Sequence, residues 1–429
     1  MQIGLRFSHG GLGIKSTEAH APAAFVGRTI TVLEQVLTAL RPHHRQRLLA
    51  DGTLLSTQPL RDVQAALQQL LGSGIPRDRL AQILSPCWLQ WAEQDGDPLL
   101  AHIVKNAEAA EPEFSQGLQA KLALLTDEQQ CRRIDALIGS KPLVQRHADN
   151  ARRRSQCAKG AMAWAGVVVS RDPRLDMPAP AHRETVRRAL GIERDFPNGK
   201  CATCNRPMSS VHARRCGGTR TRRHDALNKA FADAAKREAK VPLMHTESNC
   251  CFNDGYRQDF RMDLVIEGGQ MIMPGASLAD AHKGAAIDFA IIDPTTPNAV
   301  VQAAAQEASA AEAVALVKRT HYSTPLSETR YTFFALVFEI FGAVSSDTHK
   351  LIGALAARQA AASNGMYALS HCVNDWRQRL SVRMQNEVSQ GMMFEWLRMK
   401  PFEHQPPPDK WAFARRKLLL AQAPVPAGD

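Results

Sequence analysis

The chain has 429 residues, enough for two or three domains, and 44% of them are hydrophobic, enough to bury sizeable cores. A formal net charge of +11 and a pI near 9.4 favour polyanionic partners over small-molecule substrates. Nine cysteines, an odd number spread along the chain, argue against a disulfide framework, and no signal-peptide core or bilayer-length apolar run is visible. A nuclear or cytoplasmic protein with no membrane anchor is therefore expected.

Residues 1–140 read as a mostly helical region. Arg28–Leu40, Val63–Leu71 and Phe114–Leu125 place apolar residues three and four apart. Gly10-Gly11-Leu12-Gly13 reads as a turn and lacks the spacing of a nucleotide-binding loop. Residues 141–200 read as a basic linker. From Lys141 to Asp225 there are 19 Lys/Arg against 7 Asp/Glu, a net of +12, so the remainder of the chain is near neutral. Arg152-Arg153-Arg154 open this stretch, and DNA or RNA is its expected partner, a solvated basic surface being the alternative. Trp164 reads as core, and His182–Leu190 as a helix closed by Gly191.

Residues 201–225 contain Cys201-x2-Cys204-x7-His212-x3-Cys216. Three thiolates and an imidazole make a closed tetrahedral Zn2+ site, structural because no coordination position is left open. A loop this short has little core, so metal would supply its folding energy. Arg214, Arg215, Arg220, Arg222 and Arg223 surround the last ligand, where Gly217 and Gly218 give backbone freedom. Guanidinium groups fork onto phosphate oxygens, so these arginines are candidate nucleic-acid contacts.

Residues 226–400 read as a small α/β layer. A helix over His224–Ala239 is followed by a strand at Arg261–Ile266, a turn at 267–270 and a possible strand from Met271. A long apolar strand at Ile287–Ile292, an alanine-rich helix over Ala299–Arg319 and a strand at Tyr331–Ile340 complete the order. Asp263 lies in Arg261-Met262-Asp263 at a strand start, and Asp288 interrupts the apolar strand. A buried carboxylate must be paired or hold a metal, and two on neighbouring strands can share Mg2+. Such an ion would polarise a phosphodiester and generate hydroxide. The competing reading is a strand-end aspartate capping a turn. Lys318 and Tyr322, four residues apart, share a helical face, and Lys318 could reach the sheet or could simply be a solvated helix-end lysine. Residues 401–429 read as a Pro-rich, partly disordered tail.

The order of a CCHC knuckle, Arg222-Arg223-His224-Asp225 opening a helix, an Arg-x-Asp strand, an Asp strand and Lys318-x3-Tyr322 resembles one family. It is similar to the C-terminal region of early-branching non-LTR retrotransposon proteins, in which a zinc knuckle precedes a restriction-like endonuclease of the PD-(D/E)XK superfamily. The resemblance implies an α+β protein: a helical N-terminal region, the knuckle, then a restriction-endonuclease-like domain with a mixed sheet. It implies Asp263 and Asp288 as Mg2+ carboxylates, Lys318 as a displaced active-site lysine, Tyr322 beside it and Arg261 near the nucleic acid. Phe333–Gly342 is similar to the family's closing strand, Arg379-Leu380-Ser381-Val382 to a recurring helix and His9–Gly13 to the segment after a reverse-transcriptase palm. The departures are Met262 in place of a proline, a wide Asp263–Asp288 spacing, Ala290 where classical nucleases carry lysine, and no polymerase Asp-Asp box. The expected activity is a Mg2+-dependent nick in a target DNA strand. One alternative is an inert knuckle module that binds DNA or RNA. Another is a helical interaction protein with a coincidental zinc clip, which predicts no sheet between residues 260 and 340.

Overall fold

A computed structural model describes residues 17–39, 41, 43–44, 47, 57–84, 86–94, 117–167, 175–196, 199–201, 204–252, 256, 259–268, 283–327 and 329–398. The chain is mixed α+β and divides into two compact units, Met1–Gly166 with Thr295–Ser309, and Val167–Pro294 with Ala310–Asp429. The expected turn at Gly10–Gly13, the strand start at Met271 and the tail from residue 401 lie outside the described residues.

The first unit is helical: α1 (Thr17–Ala39), α2 (Gln58–Gly72), α3 (Arg77–Ala81), α4 (Pro86–Gln94), α5 (Leu118–Gly139) and α6 (Leu143–Cys157). Leu60, Val63, Ala66, Leu67 and Leu70 recur at helical spacing and form the buried stripe of α2. They meet Val26 and Ile30 of α1, Leu122 of α5, and Trp88 and Trp91 of α4, which pack edge to face. α1 and α5 approach closely at Gly27, where a Cβ would fall 2.6 Å from the Gln119 backbone. His20 Nε2 lies 3.0 Å from the buried Asp127 carboxylate and ties the same pair of helices. Within residues 141–200, expected as a basic linker, the described residues are partly helical. They contain α6 and, in the second unit, α7 (Ala179–Ala189), followed by Gly191 at φ +69°. Trp164 is buried, as core.

The second unit continues with α8 (Ser210–Arg215), α9 (Gly217–Arg237), β1 (Met244–Ser248), β2 (Met262–Ile266) and β3 (Gly284–Ile292). The alanine-rich stretch is two helices, α10 (Val300–Ala305) and α11 (Ser309–Ser323), parted near Ala308, whose φ is +56°. α10 packs on α6 in the first unit. β4 (Tyr331–Glu339), α12 (Ser346–Ala362) and α13 (Leu369–Arg398) complete the second. α9 starts at Gly217, so Gly217 and Gly218 belong to a helical turn rather than a flexible segment.

The sheet order is β1-β2-β3-β4, with the first two pairs antiparallel and β3 parallel to β4. A sheet over residues 262–339 excludes the purely helical alternative. The parallel pair requires a crossover, and α11 supplies it. One face carries Leu264, Ile266, Ala285, Ile287, Phe289, Phe334, Leu336 and Phe338 against α9, α12 and α13. Phe231 of α9 sits between Phe289 and Trp376, with centroids 5.4 and 5.5 Å away. The opposite face presents Ala335 and Val337 to Ala311 and Ala315 of α11. The buried Glu339 carboxylate accepts the Ala311 amide at 3.0 Å and fixes where α11 begins. Strands covered on both faces read as continuous apolar runs, which is why β3 and β4 were visible in the sequence. β1 was not, because MHTES at a sheet edge has no buried alternation.

Candidate active site and metal-ligand cluster

β2 and β3 pair with Leu264 opposite Ile287. Continuing that antiparallel register by one residue sets Asp263 opposite Asp288, and directly opposed residues point to the same face. Asp288 occurs on the α11 side of β3 because Ile287 and Phe289, its neighbours, face the larger core. Lys318, on the inward side of α11, places Nζ 2.5 Å from Asp288 Oδ2. Tyr322, one turn on, directs its hydroxyl to Asp288 and packs its ring against Phe333 and Phe252. The four residues expected at the site are therefore brought together by two strands and the crossover helix.

A fifth residue joins them. His224 Nε2 lies 3.0 Å from Asp263 Oδ2, and the Phe289 amide donates to the same oxygen at 2.6 Å. The sequence places His224 at the start of a helix and in a resembling motif, and as a substitute zinc ligand for His212, but not beside Asp263. Its signal was helical: His224, Leu227 and Phe231 fall on one face of α9 at spacings of three and four.

The electrostatics are asymmetric. Burial works to raise the Asp263 carboxyl, but the His224 and Phe289 hydrogen bonds outweigh it and hold it below the ordinary aspartate value. For Asp288, burial prevails over Lys318, and the neighbouring Asp263 adds to it, so its carboxyl is raised. The hydrogen bond to Asp263 pushes His224 up to about 9, and burial followed by the Asp288 charge raises the Tyr322 hydroxyl. A buried and a half-buried carboxylate face each other, flanked by a lysine and a histidine.

The cysteine and histidine cluster lies in the same unit. A bridge between Lys200 and Pro207 and a bond from Cys201 N to Arg206 O form a tight turn carrying Cys201 and Cys204. Asn205 takes φ +59° within it. Ser209 caps α8 by accepting the His212 amide, which sets His212 on the first turn, and Cys216 sits between α8 and α9. The ligand atoms of Cys201, Cys204, His212 and Cys216 all lie within 4.8 Å of one another. Cys201 and Cys216 sulfurs are 3.5 Å apart, and Cys204 Sγ is 3.2 Å from His212 Nε2. A zinc tetrahedron with N/S ligands has edges of about 3.3–3.8 Å. The cluster could hold a metal ion such as zinc.

The expected nucleic-acid arginines divide. Arg214 and Arg223 are buried and do not present a phosphate-binding surface. Arg214 pairs with Glu193 and Asp293, and Arg223 donates to the carbonyls of Thr219 and Arg214. A buried guanidinium must be satisfied internally, and these two brace the junction of α8 and α9. Arg215 pairs with Asp293 at 3.0 Å, Arg152 with Asp149 at 2.6 Å, and Arg153 with Asp135. Arg154, Arg220, Arg222 and Arg261 are exposed, with Arg222 3.9 Å from Glu387 and Arg261 3.8 Å from Glu247. Three arginines of the basic stretch, Arg188, Arg214 and Arg223, are thus internal structure rather than free surface. Among the described residues, no helix is long and apolar enough to cross a membrane.

In comparisons with known proteins, no protein-family model, curated protein or solved structure matches the chain.

Proposed function

We propose that the second unit is a divalent-metal-dependent nuclease that cleaves one strand of DNA, with the Cys201/Cys204/His212/Cys216 cluster as a structural Zn2+ site. The observation that carries this reading is the convergence of Asp263, Asp288, Lys318 and Tyr322 at one point of the sheet. α9, β2, β3, α11 and β4 follow one another in the order that the resemblance to restriction-like endonucleases of non-LTR retrotransposon proteins implies, with β1 and α10 as additions to it.

The all-oxygen pair suits Mg2+, a hard cation that is bound through one or two carboxylates, water and phosphate. Asp263 and Asp288 would hold it, and it would supply Lewis acidity and a bound water of lowered pKa. Lys318, already beside Asp288, offers a positive group to the phosphate oxygens, where charge develops during attack. The Tyr322 hydroxyl helps fix the Asp288 carboxylate. The exposed arginines Arg220, Arg222 and Arg261 offer charge to the nucleic-acid backbone.

The test is nicking of supercoiled plasmid in Mg2+. The wild-type chain should relax the plasmid, Asp263→Asn and Asp288→Asn should abolish relaxation, and Lys318→Met should slow it by a factor of about a hundred or more. DNA binding by all three variants should persist. Binding without nicking by the wild type in Mg2+ or Mn2+ would favour the inert binding module instead. Equal nicking by Asp288→Asn would overturn the site assignment.

A further inference from the structure

His224 stands where the two halves of the second unit's chemistry meet. Eight residues before it, Cys216 begins α9 as the last ligand of the metal cluster. At its own position, the imidazole leaves the helix for the sheet and donates to Asp263 Oδ2. The neighbouring Asn228 side-chain amide donates to the Asp263 backbone carbonyl at 3.2 Å, so α9 grips this residue twice. A second brace runs from the cluster to the other strand. Arg214 and Arg215, between His212 and Cys216, both reach Asp293, which follows β3 five residues beyond Asp288. The Arg223 guanidinium closes this brace by donating to the Arg214 carbonyl from within α9.

These contacts bear on what the metal cluster is for. A zinc loop that reads nucleic acid keeps its basic side chains outside. Here the arginines nearest the last ligand are turned inward, onto the end of the strand that carries Asp288. Two of the donors that fix Asp263, the His224 imidazole and the Asn228 amide, come from the helix that the last ligand starts.

We propose that His224 is a positioning residue for the carboxylate pair, and that through α9 and the Arg214/Arg215–Asp293 contacts the metal cluster sets the geometry of that pair. The inference rests on the nuclease reading above and adds to it the part that orients the carboxylates. Both the His224 and the Phe289 donors converge on Oδ2 of Asp263, which leaves Oδ1 as the oxygen offered to a metal ion. Losing one of two donors lets the carboxylate rotate. Partners that orient metal-ligating side chains are worth about 10- to 100-fold in metal affinity or activity when removed.

The experiment measures Mn2+ affinity of the zinc-loaded full chain by titration calorimetry, with zinc content and plasmid nicking followed in parallel. His224→Ala should weaken Mn2+ binding by about tenfold or more and slow nicking comparably, with one zinc per chain retained. His224→Gln places a neutral amide donor near the position of Nε2 and should recover Mn2+ affinity to within about threefold of wild type. Rescue by glutamine separates orientation from charge, and retained zinc separates it from unfolding. A third variant, Arg215→Gln, removes a brace without touching either cluster and should weaken Mn2+ binding in the same direction. Wild-type Mn2+ affinity in His224→Ala overturns the positioning role while leaving the nuclease reading intact, as does a glutamine variant as weak as alanine. Wild-type affinity in Arg215→Gln overturns the link to the cluster. Failure of the wild type to bind Mn2+, or binding unchanged by Asp263→Asn with Asp288→Asn, overturns the carboxylate reading and the positioning role together.

Discussion

The two aspartates should respond to the same substitution with opposite signs. Asp288 is a buried carboxylate, and the register places a second carboxylate across from it. At a cross-strand separation of about 5 Å and an effective dielectric of about 20, the repulsion between two ionised carboxylates is about 3 kcal/mol. The attraction of Lys318, 2.5 Å from Asp288, is about twice that repulsion, yet the burial penalty outweighs it and the carboxyl is raised. Asp288→Asn relieves that penalty and should stabilise the second unit by about 0.5–2 kcal/mol while abolishing nicking. Asp263 is the reverse case. Its Oδ2 accepts from His224 and from the Phe289 amide, and replacing the charge by an amide weakens both bonds. Asp263→Asn should cost about 1–3 kcal/mol. The assay is urea unfolding at neutral pH without added Mg2+, followed by tryptophan fluorescence, since Trp376 lies in the core beneath the sheet. A lowered midpoint for Asp288→Asn, or a raised one for Asp263→Asn, would refute the electrostatic account of the site.

Two further outcomes follow from the cluster and the arginines. Chelation should release one zinc per chain and expose Cys204, the most accessible of the three sulfurs, to iodoacetamide in a mass-spectrometric footprint. Under the same conditions Cys157 and Cys251, pushed by burial up to about 11 and about 12, should stay unlabelled at neutral pH. Labelling of Cys204 at equal rate with and without chelator would remove the metal assignment. DNA affinity should fall steeply with salt, and Arg220→Gln should reduce the slope of log affinity against log salt by about one. Arg214→Gln should instead lower the unfolding midpoint, because a buried guanidinium that pairs with Glu193 and Asp293 is lost and Asp293 keeps only Arg215 of these two arginine partners.

The sequence made the sheet legible where burial is two-sided and opaque where it is not. β3 is an uninterrupted apolar run apart from Asp288, so a polar residue there stood out against its neighbours, and β4 is apolar from Phe333 to Phe338. The Lys318–Tyr322 pair was readable from spacing alone, because one helical turn joins them. Spacing also carried the metal cluster: two cysteines fit one tight turn, and the last two ligands lie on α8 and at its C-cap, four residues apart. Arginine burial was not legible. Arg214 and Arg223 look the same in sequence as Arg220 and Arg222, and only the fold decides which ones meet Asp293 or a carbonyl. The break near Ala308 was hidden by helix-favouring alanines on both sides. What defines the start of α11 is Glu339, 28 residues beyond Ala311 in the chain.

That division explains why the candidate site is more legible than its supports. Residues that do chemistry on a strand or helix must disturb the local pattern, because a charge is placed where an apolar side chain would pack better. Asp288 is such a disturbance. Residues that orient them disturb nothing locally. His224 occupies an inward position on a helix that also buries Leu227 and Phe231, and a histidine there is compatible with ordinary packing. Its meaning depends on Asp263, 39 residues away. The arginines of α8 are equally unremarkable in a basic stretch until Asp293 is brought beneath them. On the proposed reading, the information for chemistry is local in this chain, and the information for its geometry is held in pairings across the sheet. A substitution scan of the second unit should separate the two. Exchanges at Asp288 and Lys318 should change nicking with little loss of stability. Exchanges at Arg214, Arg223 and Glu339 should reduce stability first and nicking only as a consequence.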